Sequence, residues 1–201
     1  MHPRLHSLRV QGWPRWQARL CAVFCSGLLS LVPAYALIPD AQAEFSRPEV
    51  AALQGVVPGA PVRLQVWGFD VYDARLWTPR GFRHRQATQF PFALELQYLR
   101  RLDGAAIASR SIDEMRRVGS FTDVQAQRWL AAMRELFPSV RAGERITGIN
   151  WPGVGAEFWV NGRHAGAVND PEFARLFFGI WLDERTSEPK MRVQLLQGLQ
   201  P

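Results

Sequence analysis

The sequence predicts a single α+β domain, and three observations carry that prediction. First, segments of strand character come before and after a pair of helical segments, and a second helical pair follows. That order differs from the strict β–α alternation of a parallel doubly wound sheet. Second, apolar residues alternate with polar ones over residues 62–67 but recur at helical spacing over 122–137 and 171–182. Third, Asn161-Gly162 lies between two strand-like runs, and both residue types tolerate the positive φ of a tight hairpin. No repeat, low-complexity tract or long linker divides the 201 residues, a length that fits about one domain.

The elements follow in order. Val62, Leu64 and Val66 alternate with Arg63, Gln65 and Trp67, as in a half-buried strand, and Gly68 marks a bend or bulge before a second strand over 69–77. Residues 79–91, rich in Pro, Gly, Arg and Gln, read as a surface loop, and 92–99 as a strand. A helix is expected over about 105–118 with Ala108, Ile112 and Met115 inward. The next begins at Thr122, whose capping box with Gln125 satisfies free backbone donors. It carries Trp129, Leu130, Met133, Leu136 and Phe137 on one face and closes at Pro138. Residues 146–149 and 157–160 read as strands, and 165–168 as the return strand of the Asn161-Gly162 hairpin. Asp170 is a good N-cap and Pro171 suits the first helical position. Phe173, Leu176, Phe177, Ile180 and Trp181 then form an apolar stripe. A last helix is expected from near Ser187, carrying Met191, Leu195 and Leu199.

Of 24 basic residues 23 are arginine. With 18 acids the net charge is +6 and the pI is near 10.3. Such a pI suits a nucleic acid or a membrane surface. However, Arg4, Arg9, Arg15 and Arg19 all lie in an acid-free stretch ahead of an uncharged apolar run over 20–32. Pro33 ends that run, and two small-x-small sites follow. This is the pattern of a signal peptide over residues 1–43, cut after Ala36 or Ala43. An uncleaved anchor is the rival reading, although the run is shorter than the roughly 20 residues of a spanning helix. The expected mature domain is 44–201, periplasmic or secreted, with no stable membrane span. Cleavage after Ala43 removes Cys21 and Cys25, and with them any disulfide, thiol nucleophile or thiolate metal site. It leaves 20 basic and 17 acidic residues, a net +3. Arg100-Arg101 and Arg116-Arg117 are short pairs rather than long basic runs, so no nucleic-acid partner is expected.

Six segments taken together resemble the bacterial branch of the chalcone isomerase-like superfamily, over about residues 50–197. They are 63–77 (RLQVWGFDVYDARLW), 93–98 (ALELQY), 143–147 (GERIT), 158–162 (FWVNG), 170–173 (DPEF) and 177–183 (FFGIWLD). The resemblance implies an open-faced β-sandwich, a large antiparallel sheet covered by helices on one side with a cleft beside them. Plant isomerases of this superfamily close a chalcone into a flavanone, whereas fatty-acid-binding relatives use the same cleft without catalysis. Arg63 is the best match to the family's cleft arginine. Tyr72 stands where the isomerases have a threonine, and the fatty-acid-binding relatives likewise pair an arginine with a tyrosine. Ile107 takes the place of the catalytic tyrosine, Glu114 falls near that of the asparagine, and Tyr98 or Leu99 near that of the lysine. The resemblance therefore implies ligand binding without isomerase chemistry, and it assigns no catalytic residue.

The expected ligand-binding residues are Arg63 and Tyr72. A partly buried guanidinium is a planar fork that suits a carboxylate, and a phenol adds one hydrogen bond. The expected ligand is a small hydrophobic carboxylate or similar anion. A plainer reading makes Arg63 a salt-bridged surface residue and Tyr72 a core aromatic. Three other functions stay open. One is an intramolecular lyase or isomerase in which Arg63 stabilises an oxyanion and Tyr72 donates a proton. Another is an envelope interaction protein with a collapsed cleft. The last is a haem-binding envelope protein using His84 or His164 with arginines on the propionates. No cofactor or metal is expected, because the two histidines lack carboxylate or thiol neighbours at ligand spacing. No G-x-S-x-G, P-loop or dinucleotide fingerprint is present.

Overall fold

A computed structural model describes residues 47–201. The expected signal segment, its cleavage sites and both cysteines lie outside them. The core of the fold is an antiparallel seven-stranded sheet. Its strands are β1 (Val56–Pro58), β2 (Val62–Val66), β3 (Phe69–Pro79), β4 (Phe92–Tyr98), β5 (Arg145–Trp151), β6 (Gly155–Val160) and β7 (Arg163–Val168). The strands follow chain order across the sheet, except that β1 and β2 both pair with β3, which is long enough to hold the two end to end. Two tight turns set the hairpins. Asn161 (φ 50°) and Gly162 (φ 77°) join β6 to β7, and Trp67 (φ 50°) and Gly68 (φ 80°) join β2 to β3. Positive φ at both central residues makes a turn whose twist matches that of the strands.

The register of the β2–β3 hairpin shifts by one residue. Val66 pairs with Phe69 and Gln65 with Asp70, but Leu64 then pairs with Tyr72, leaving Val71 as the extra residue of a bulge. Beyond the bulge Arg63 pairs with Asp73 and Val62 with Ala74.

Helices α2 (Gly104–Val118) and α3 (Asp123–Leu136) lie in the chain between β4 and β5. Helices α4 (Pro171–Leu182) and α5 (Pro189–Leu195) follow β7. The Asp103 side chain accepts from Ala106 N at the start of α2, and the Thr122–Gln125 capping box opens α3 as expected. All four helices sit on one face of the sheet. Helix α4 lies against β6, α3 against β7, α5 against β2 and β3, and α2 packs on α3 and α4. Leu76, Leu94, Leu96, Ile146 and Phe158 project from the sheet into the main core. There Phe158 meets Phe137, Phe173 and Phe177 at ring-centroid distances of 5.0, 6.2 and 5.1 Å.

On the opposite face a short helix, α1 (Pro48–Ala51), covers a small second core of Val50, Leu53, Ala93 and Ile149. Beneath it Glu49 and Glu95 are buried. Thr147 Oγ1 donates to Glu49 (3.2 Å), Arg145 lies 3.5 Å from Glu49 and 3.8 Å from Glu95, and Arg47 Nε donates to Glu95. Neither α1 nor β1 was expected from the sequence. Residues 84–89 of the expected loop form a short 3-10 segment. The last helix ends at Leu195, before the expected Leu199. Gly198 (φ 80°) turns the chain so that Leu199 still packs on the core.

Candidate functional site

A cavity of about 340 Å³ opens between β2, β3 and β4 on one side and α2, α4 and α5 on the other. That volume is at the small end of the roughly 300–1,000 Å³ typical of ligand pockets. Its wall is mostly apolar, with Leu64, Leu96, Ile107, Ile180 and Met191 contributing. The alternation of β3 and β4 places two phenols on this wall, because Tyr72 shares a face with Ala74 and Leu76, and Tyr98 with Leu94 and Leu96. The two rings meet edge to face at 6.0 Å.

The indole Nε1 of Trp181, on α4, donates to the Tyr72 hydroxyl oxygen (2.9 Å). The proton of that hydroxyl finds no acceptor among the described residues, and neither does the proton of Tyr98. Burial pushes the Tyr72 phenol well above its usual range, outweighing the indole hydrogen bond that lowers it. Tyr98 is raised in the same direction, first by burial and then by Tyr72. Both groups are therefore protonated donors at any physiological pH. One turn of α2 away, Arg110 pairs with the buried carboxylate of Glu114, and both line the cavity. Arg192 also reaches the wall, with its Nε donating to the Leu182 carbonyl (2.7 Å).

The structure does not bring the two residues expected to bind a ligand together. Tyr72 faces the cavity, but Arg63 is exposed on the other face of the sheet. Its Nε donates to Asp73 (2.8 Å), its Nη1 to Asp70 (2.9 Å) and its Nη2 to Asp73 (2.9 Å). The Asp73 hydrogen bond and the charges of Asp73 and Asp70 hold the guanidinium even further above its ordinary range. The physical reason is the bulge. An unbroken register from the Trp67-Gly68 turn would put Arg63 directly opposite Tyr72. The extra residue Val71 shifts that pairing by one, and a one-residue shift sends a side chain to the other face. Ile107, Tyr98 and Glu114, which the resemblance aligned with lost catalytic positions, do line the cavity.

Sequence reasoning missed Trp181 and Arg110. Strand alternation could have found the Tyr98 phenol. The Trp181–Tyr72 hydrogen bond spans 109 residues and has no local signal.

The two histidines among the described residues lie apart. His164 is 3.3 Å from Glu157 beside Trp159. His84 lines a second cavity of about 520 Å³ with Arg85, Arg175 and Arg185, where burial, then Arg192 and Arg85, lower its pKa. Arg175 and Arg185 are already paired, with Glu172 and Asp183. Among the described residues no His, Cys, Asp or Glu cluster could hold a metal ion, and no helix is long and apolar enough to cross a membrane.

A one-layer antiparallel sheet with helices on one face and a cavity at the β2–β3 end defines a chalcone isomerase-like fold. The sequence pattern of the chalcone isomerase-like family matches residues 51–197, and the chain belongs to that family. It is 29% identical over 131 residues to a Haemophilus influenzae protein described only as uncharacterized. That match covers 65% of this chain and 63% of the relative's length. Among solved structures, the fatty-acid binding protein of Arabidopsis thaliana superposes with a TM-score of 0.52 at 14% identity. The superposition covers 69% of this chain and 84% of that one. Likeness at that identity establishes a shared fold.

Proposed function

We propose that the protein holds a small hydrophobic molecule with a carboxylate or carbonyl head in the cavity between β2–β4 and α2, α4 and α5. Tyr72 and Tyr98 donate to the head and the apolar residues take the tail, while Arg110 and Arg192 on the wall are offset by Glu114 and Glu188 beside them, so that the phenols hold the head. The observation that carries this reading is the pair of protonated phenols without acceptors on the mostly apolar wall of the cavity. A ligand oxygen that accepts from them gains about 1 kcal/mol for each net hydrogen bond. The fatty-acid binding of the Arabidopsis neighbour supports the ligand class.

Titration calorimetry with long-chain fatty acids and aromatic ketones tests the reading. Tyr72→Phe keeps the ring and is expected to weaken binding about five- to tenfold, the worth of roughly one net hydrogen bond. Arg63→Ala is expected to change binding less than twofold. A wild-type protein that binds neither class, or a Tyr72→Phe variant that binds as tightly as wild type, sinks the proposal.

One observation favours a second reading, an intramolecular lyase or isomerase. A buried carboxylate, Glu114, and a protonated phenol, Tyr72, line the same cavity and form an acceptor and donor of protons. Turnover of enones that is lost in both Tyr72→Phe and Glu114→Gln supports it, and silence across the panel removes it. Export belongs to the proposal too, on the strength of the charged, apolar and small-residue sequence of 1–43. The mass of protein recovered from the cell envelope should then place the N-terminus at residue 37 or 44.

A further inference from the structure

The two hairpins with tight turns differ in one residue. Both turns hold their first central residue at φ 50°, and β6–β7 uses Asn161 there while β2–β3 uses Trp67. Asparagine is suited to that conformation, whereas a bulky side chain at positive φ is strained. Packing does not hold Trp67 in place. Its side chain is 95% exposed and makes no hydrogen bond or ring contact with the described residues. Its neighbours are apolar and open as well, Phe69 at 64% and Val66 at 40%. A strained, solvated tryptophan contributes little to the fold. Strain of this kind persists where it serves a site.

We infer that the tip of the β2–β3 hairpin is an anchor that seats the protein on an anionic lipid bilayer with the cavity mouth facing the lipid. Tryptophan and phenylalanine favour the headgroup–acyl boundary, where an apolar ring and a polar edge are both satisfied. The Arg100 guanidinium lies 5.5 Å from the centre of the Phe69 ring, with Arg101 next in the chain, so positive charge stands beside the aromatic tip. Apolar rings rimmed by arginine are the composition of an interfacial anchor on a protein that does not span the membrane. The neighbouring acid, Asp70, is already held by Arg63 and Gln65.

The apolar surface also continues inward. Val66 is exposed at the tip and lines the cavity together with Val71, so a hydrophobic ligand could pass from the bilayer to the phenols along one wall. A protein partner fits less well, because a tip of three apolar side chains is far short of the roughly 20–30 residues per side of a specific protein interface.

The test uses the mature protein recovered from the cell envelope and vesicles of phosphatidylethanolamine and phosphatidylglycerol with brominated acyl chains, against zwitterionic phosphatidylcholine vesicles. Trp67→Asn recreates the Asn-Gly turn of the other hairpin, so this variant should fold with a Tm equal to or above that of wild type. The other tryptophans are common to both proteins, so the difference in quenching reports Trp67 together with the docking that it supports. The expected result is bromolipid quenching in wild type that disappears in Trp67→Asn, with at least fivefold weaker vesicle binding. Arg100→Gln should weaken binding to the anionic vesicles only. Equal quenching in wild type and a folded Trp67→Asn variant overturns the inference. So does a tip that is shielded by a protein partner while vesicles leave it unquenched. Ligand binding without vesicles, read through Tyr72→Phe, is a separate measurement, so failure of the anchor and failure of the cavity reading are distinguishable.

Discussion

Asp170 concentrates several interactions in one carboxylate. It caps α4 through Glu172 N (3.0 Å) and Phe173 N (3.3 Å), accepts the Trp129 indole N–H (2.9 Å) and pairs with Arg128. Burial is the largest single influence on its pKa and opposes ionisation. The indole, the two backbone donors and Arg128 together outweigh it and hold the carboxyl below its usual range. A depressed folded-state pKa means that this stability is fully present above the unfolded value of about 3.9 and is lost as pH falls through the lower folded value. Asp170→Ala should therefore cost about 2 kcal/mol at neutral pH, from the lost cap and the stranded indole. In urea titrations the gap to wild type should narrow once the pH falls below about 3.9. The cap is readable from Asp170-Pro171 in the sequence. The Trp129 contact is not, because it joins residues 41 apart. Tyr72 and Arg63 show the same divide. The strand that carries each is evident from alternation, as is the place of Arg63 on the face away from Val62 and Leu64, but whether Tyr72 shares that face depends on a single inserted residue that alternation cannot reveal.

Between elements, local patterns were informative and long-range ones were not. The Thr122 capping box, the Asn161-Gly162 turn and the stripes of α3 and α4 are each set by a few neighbouring residues, and they form as expected. Helix α1 has only four residues and little helical pattern of its own. What fixes it is tertiary: its Glu49 enters the cluster of Thr147 and Arg145, which β5 supplies about a hundred residues later. Removing one partner of a buried ionic group leaves uncompensated charge. Arg145→Met should thus destabilise the fold by about 3 kcal/mol, measured by denaturant unfolding. The cavity was legible as a family expectation, with Tyr72 on its wall. Its polar equipment was not, since Trp181, Arg110 and Tyr98 come from three different elements.

At the scale of the whole molecule the helical face provides the main core. Phe158 stands at its centre, fully buried among Phe137, Phe173 and Phe177. Phe158→Ala should cost about 3–5 kcal/mol, in the range for large-to-small changes in a packed interior. A ligand that binds only the folded state should act in the other direction. At a hundred times its Kd it adds about 2.7 kcal/mol, readable as a rise in Tm that Tyr72→Phe diminishes. The cavity's walls also carry a timing. One side is β2 and β3, near residue 64, and the other includes Thr186, Met191 and Arg192. Whatever the order in which the rest folds, the pocket is therefore complete only once residues 186–192 have docked against the sheet.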